Sequence, residues 1–149
     1  MVTNDTLKQT KQKNLQLWTP SKEQISLDWI DLPNDKRNMF FEQGEIIKCI
    51  FGENVGYEIC KSRPSLVISD TRYNGYGQLV VIPLTKNTRP LKTHYILKKN
   101  KYNFLSYDSC VKTEQVKSVS SIRLEQKLGK IDKCDLERIK IRLKTLFNI

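Results

Sequence analysis

The sequence predicts a mainly β fold: a small, closed or nearly closed β-barrel with a C-terminal helix and an N-terminal helical extension. Two observations predict the barrel. Short runs rich in Val, Ile and Leu recur after Gly44, and turn residues bound each of them. A third observation predicts the last helix: Leu136, Ile139, Leu143 and Leu146 repeat at i, i+3, i+7 and i+10.

The elements follow in order. Residues 1–17 are polar with few apolar side chains, which predicts a frayed or mobile start. Ser21 is the expected N-cap of a helix on which Ile25, Trp29 and Ile30 repeat, and Pro33 is expected to end it. A second short helix is expected over residues 35–41. Residues 1–43 then form an accessory arm that packs Trp18, Trp29, Phe40 and Phe41 on a domain made by residues 44–149. In that domain, Ile46, Ile47, Cys49, Ile50 and Phe51 make a strand stopping at Gly52. Strands follow at 66–69 and 79–84, joined by the loop Tyr73-Asn74-Gly75-Tyr76-Gly77. Further strands are expected over 93–98 and 109–117. Asp132 is placed to cap the last helix, whose other face carries Glu137, Arg138, Lys140, Arg142 and Lys144 as a solvated surface.

With 149 residues the chain is one ordinary domain plus an appendage, long enough to bury a core unaided. Its formal charge is +10. Six basic and six acidic side chains cancel within residues 1–43, so the whole excess lies beyond them. A basic domain behind a neutral leader points to a polyanionic partner, though charge alone leaves RNA, DNA, an acidic protein and a membrane surface open. The longest apolar run, residues 79–84, is far too short to span a bilayer. The first twenty residues lack the apolar core of a secretory signal, so a cytoplasmic protein is expected. Cys49, Cys60, Cys110 and Cys134 form no C-x-x-C pair and His94 is the only histidine, which gives a metal site little support. The cysteines are expected to be reduced and mostly buried.

One segment stands out chemically. Gly56-Tyr57-Glu58-Ile59-Cys60-Lys61-Ser62-Arg63-Pro64 is a polar loop running straight into an apolar strand. An arginine at such a junction is either held by the sheet facing a groove or spent in a surface ion pair. Pro64, lacking an N–H, suits a strand start. Gly44-Glu45-Ile46, Gly56-Tyr57-Glu58 and Arg63-Pro64-Ser65-Leu66-Val67-Ile68 resemble the opening blocks of the MazF/PemK toxin family. Val81-Ile82-Pro83-Leu84-Thr85 is similar to its second core strand, and Ser109-Cys110-Val111-Lys112-Thr113-Glu114-Gln115 to its third block. Ser121-Ile122-Arg123-Leu124 and Lys127-Leu128-Gly129-Lys130 resemble the tail before its last helix. The likeness covers roughly residues 44–149, with the blocks in order.

The resemblance implies an SH3-like barrel, usually a homodimer, acting as the toxin of a type II toxin–antitoxin system. It implies metal-independent cleavage of single-stranded RNA at short motifs, no cofactor, and a cognate antitoxin that blocks the RNA groove. Cleavage by the neighbouring 2′-OH needs a base for its proton, charge stabilisation at the phosphorane and a proton for the 5′ leaving oxygen. Arg63 matches the family's catalytic arginine and is assigned to charge stabilisation. Thr85 matches its catalytic threonine, able to donate to a phosphate or leaving oxygen, or else simply to bond backbone at a strand end. Glu114 aligns with an acidic position that acts as base in the Kid/PemK branch; its alternative is an ion pair with Lys112 or Arg63. Lys112 stands where that branch has arginine, keeping charge but losing the bidentate fork. Gln115 is expected to position RNA or the loop.

Tyr57, Tyr73 and Tyr76 are expected in two loops flanking the groove, where they would stack on bases. Lys61, Arg72, Lys86 and Arg89 would meet phosphates. With one histidine per chain, a two-histidine mechanism within the chain is excluded, and His94 is read as a loop or strand-edge residue. Two other readings share the barrel: a CcdB-like toxin that binds DNA gyrase without chemistry, and a basic barrel that merely binds nucleic acid. Neither requires the Arg63-Pro64 loop or Thr85.

Overall fold

The computed structural model describes residues 1–149. It opens on a 28-residue helix, α1 (Asn4–Asp31), capped by Thr3, whose side chain accepts from the Thr6 N–H. The expected mobile start and the Ser21 cap are therefore corrected. Helix runs through Pro20, which costs only the bond its missing N–H would have given to Gln16. What holds this helix is tertiary and not local. Lys11 reaches Glu53 at 2.6 Å and also bonds the Asn54 carbonyl. Trp18 lies on Gly52, where a Cβ would sit 2.1 Å from the indole; Gly52 itself holds a positive φ of 78°. Trp29 covers Gly77 in the same manner. Leu32 caps the helix ahead of Pro33, as expected, and α2 (Asn34–Arg37) is shorter than residues 35–41. Of the four aromatics expected to pack, Phe41 is buried but Phe40 is 55% exposed.

Seven strands follow: β1 (Glu45–Gly52), β2 (Lys61–Val67), β3 (Gln78–Thr85), β4 (His94–Leu97), β5 (Ser109–Lys112), β6 (Lys117–Ser120) and β7 (Leu124–Lys130). All pair antiparallel in the order β4-β5-β3-β2-β1-β7, with β6 on β3. The strand expected over 109–117 is two strands. A turn at Thr113–Gln115 separates them, closed by the Val116 N–H on the Thr113 carbonyl and by the Thr113 hydroxyl on the Thr93 carbonyl. The break is needed because β5 pairs with the end of β3 (Leu84, Thr85) and β6 with its start (residues 78–81). β2 begins earlier than expected, so Pro64 falls within it, one residue before β3 joins at Ser65.

The period-two alternation of a strand sends its side chains to opposite faces, and both faces here are covered. Ile46, Leu66, Ile82 and Leu84 join Leu97, Val111, Ile131 and Ile139 in one core. Ile47, Cys49, Phe51, Val67, Leu79 and Val81 join Phe41, Ile59 and Val119 in the other. At about 1.5–3 kcal/mol per buried aliphatic side chain, these two layers dominate stability. Cys49 and Cys110 are buried, Cys60 is half-buried and Cys134 exposed, so only half the free thiols are interior. Burial pushes the Cys49 thiol up to about 12.

α3 (Lys133–Phe147) is capped by Asp132, as expected, and buries Ile139 fully. It is also locked by Asp135, 6% exposed, which accepts from Tyr95 Oη and Tyr102 Oη, both at 2.5 Å, and from Lys101 Nζ at 2.8 Å. Burial opposes the carboxylate charge, but the bonds from Lys101, Tyr102 and Tyr95 together outweigh it and hold Asp135 below the usual carboxylate range.

Candidate active site at the start of the second strand

The β1–β2 connection is built around two amides. Asn54 Nδ2 donates to the carbonyls of Phe51 and Ile59, closing the loop on itself. Gln115, from the turn after β5, accepts from the Ile59 N–H at 3.0 Å and donates to the Tyr57 carbonyl at 2.7 Å. Gln115 thus pins the loop to the barrel as a neighbouring strand would.

Beneath that loop lies a hollow of about 240 Å³ lined by Tyr57, Glu58, Arg63, Thr85, Asn87 and Lys112, among others. Three strands converge there. β2 supplies Arg63, β3 ends on Thr85, and β5 ends on Lys112. Arg63 Nε donates to the Cys60 carbonyl at 2.8 Å, which fixes the guanidinium plane. Neither Arg63 nor Lys112 is in an ion pair. Glu58 is the one carboxylate on the wall, so the hollow carries a net positive charge suited to a phosphate. Thr85 is 7% exposed, and its Oγ1 accepts from the Asn87 N–H at 2.9 Å. The hydroxyl does bond backbone, but as acceptor, and its own hydrogen stays free to donate into the hollow.

Glu114 lies next door. It lines a second hollow of about 280 Å³ with Asn54, Gln115 and Lys117, sharing Glu58 and Ile59 with the first. It pairs with neither Lys112 nor Arg63: both Glu114 oxygens are 2.8 Å from His94 Nε2. His94 opens β4, directly across from Lys112 on β5, and is 5% exposed. Its Nδ1 is buried with no hydrogen-bond partner. Its Nε2 is the nitrogen that faces the carboxylate, and a hydrogen there is donated to Glu114. Of the two expected places for His94, a loop or a strand edge, it takes the strand, and its link to Glu114 is not evident from the sequence pattern. The only available signal was its being the single histidine, 20 residues before an acidic candidate.

The remaining candidates disperse. Tyr57 is 98% exposed at the loop tip beside Arg63. Lys61 is exposed two residues before Arg63 but lines a separate hollow under α1. Lys86 and Arg89 are exposed on the connection leaving Thr85. Arg72 does not join the site: it lies past the other end of β2, gripped by Asp70 through Nε and Nη2, each at 3.0 Å. Tyr73 and Tyr76 belong to that distant loop, beside α2, and do not flank the Arg63 hollow. No helix is long and apolar enough to cross a membrane.

Comparison with known proteins gives a consistent result. Residues 42–147 match the family model described as PemK-like, MazF-like toxin of type II toxin–antitoxin system. Endoribonuclease MazF9 of Mycobacterium tuberculosis is 27% identical over 108 residues, spanning 68% of this chain and 92% of that protein. MazF from Deinococcus radiodurans superposes with a TM-score of 0.64 at 22% identity, covering 74% of this chain and 99% of that one. An endoribonuclease bound to its cognate antitoxin, from a mycobacterial species, gives 0.59 at 18% identity, with 73% and 96% covered. At such identities the solved structures establish the shared fold.

Proposed function

The chain belongs to the PemK-like, MazF-like toxins of type II toxin–antitoxin systems, and we propose that it cleaves single-stranded RNA by metal-independent attack of a ribose 2′-OH on the adjacent phosphate. The observation that carries this is the Arg63 hollow: two cations outside any ion pair and a free threonine O–H, converging from three strands. Arg63 and Lys112 would hold the scissile phosphate and stabilise the extra charge of the phosphorane. Arg63 suits this because its plane is already fixed through Nε, leaving the terminal nitrogens for phosphate oxygens. Thr85 would donate to a phosphate or leaving oxygen. Glu114, oriented by His94, would take the 2′-OH proton when the ribose lies over the Glu58–Ile59 wall between the two hollows. The products would be a 2′,3′-cyclic phosphate and a 5′-hydroxyl. Tyr57 would stack on a base beside the cut, with Lys61, Lys86 and Arg89 along the strand.

The relatives solved with an antitoxin support a cognate antitoxin as partner, and the toxin class supports action in the cytoplasm as a homodimer. The test is incubation of the purified protein with long single-stranded RNA in EDTA, followed by end-group mapping. Discrete cuts with cyclic-phosphate and 5′-hydroxyl ends are expected. Intact RNA after incubation with folded, antitoxin-free protein would redirect the search to a protein target.

A further inference from the structure

We propose that the hollow between α1 and the start of β2 is a nucleobase subsite, extending the RNA groove by about one nucleotide beyond Arg63; this rests on the ribonuclease reading above. The hollow measures about 280 Å³ and combines the wall of an indole, Trp18, with Asn14, Ser21, Ser62 and Lys61. That is the set one nucleotide needs: an aromatic surface for the base face, an amide and hydroxyls for its edge, and a cation for its phosphate.

Charge supports the assignment. Glu53 is the only carboxylate on the wall, and Lys11 neutralises it at 2.6 Å. Lys61 is in no ion pair, so the hollow keeps one net positive charge. Position supports it as well. Lys61 precedes Arg63 by two residues, about 7 Å of strand, the scale of a single nucleotide step. Lys61 also holds a φ of 70°, a left-handed conformation that strains a non-glycine residue. This occurs where β1 and β2 slip register between Ile50 and Gly52. Gly52, at the same register slip, has no side chain, and Trp18 occupies the space a Cβ would need.

Half of this subsite comes from α1, which precedes the family match at residues 42–147. The base read there would therefore be an added determinant of this chain's cleavage motif.

The test uses the full-length protein with Trp29→Phe, so that Trp18 is the only indole. The probe is a single-stranded RNA carrying 2′-fluoro at every ribose, which removes the nucleophile. Binding is followed independently by anisotropy of the labelled RNA. Trp18 emission is expected to be quenched in step with binding, and equally so with Arg63→Ala added at saturating RNA. On cleavable RNA, Asn14→Ala and Ser62→Ala are expected to lose base preference at one position flanking the core motif. Their kcat/KM on the preferred RNA should fall by roughly tenfold. Ser62 is exposed and lies off α1, Asn14 is half-buried on it, and circular dichroism checks that both variants keep the fold, while Trp18→Phe keeps a stacking surface. RNA that binds while Trp18 emission stays constant, together with an unchanged motif in Asn14→Ala, would overturn the subsite. Failure to bind RNA at all would overturn it too. Quenching by RNA that is never cut, in any sequence, would keep the subsite and remove the nuclease reading instead.

Discussion

Arg63 lies near the start of β2 and Arg72 in the turn Thr71–Tyr73 beyond its other end, and the difference between them is the lesson of the molecule. Both are arginines of a basic domain. Arg72 is closed off by its own neighbour: Asp70 takes its Nε and Nη2, and those bonds hold the Asp70 carboxyl down to about 2. Arg63 has a carbonyl on Nε and no carboxylate at all. A guanidinium becomes a phosphate site where its forked end stays uncommitted, and local partners decide that more than position along the strand.

The comparison can be broken in several ways. The largest effect is expected for Arg63→Ala, a loss of about 10²–10³ in cleavage rate with the fold retained by circular dichroism. Thr85→Ala and Glu114→Ala should each lose roughly tenfold to a hundredfold in single-turnover cleavage, and a wild-type rate in either would remove that residue from the mechanism.

The scaffold must be separable from this chemistry, and Asp135 offers the control. Asp135→Asn should cost about 2–3 kcal/mol of stability in urea unfolding, since it weakens three hydrogen bonds to a buried carboxylate. Because its folded pKa is depressed, its contribution is complete above the unfolded value near 4 and is lost as pH falls through the folded one. The gap between Asp135→Asn and the parent should therefore start to narrow as pH falls below about 4 and keep narrowing towards the depressed folded value; a gap that does not narrow at all below about pH 4 would contradict the lock.

Smaller effects come from the far end of β2. Asp70→Asn would release Arg72, and RNA affinity should rise a few-fold with the salt slope steepened by about one counterion. Arg72→Ala should change cleavage by less than about twofold, a difference visible only in side-by-side initial rates.

Much of the fold was legible in the sequence because its strands are short apolar runs with hard boundaries. Glu45–Gly52, His94–Leu97 and Lys133–Phe147 fall where the runs, turns and the Asp132 cap put them. α1 was half legible, since the stripe that seats it includes Lys11, Asn14 and two tryptophans resting on glycines 34 and 48 residues away. Polar anchors leave no apolar period to read. The split of residues 109–117 was hidden because it answers to β3, which takes β5 at one end and β6 at the other. In the candidate site, Arg63, Thr85 and Lys112 come together in one hollow, while the Glu114–His94 pair depends on β4 lying beside β5. The Asp70–Arg72 grip was readable in principle, being two residues long, and it is what separates Arg72 from the site.

The most direct measurement compares the purified wild-type protein, Arg63→Ala and Arg72→Ala on one long single-stranded RNA in EDTA, with cut sites and end groups mapped. The account predicts matching discrete cuts, with cyclic-phosphate and 5′-hydroxyl ends, for wild type and Arg72→Ala, and a rate slower by about 10²–10³ for Arg63→Ala. Cleavage by folded Arg63→Ala at the wild-type rate, or an equal loss in Arg72→Ala, would contradict it.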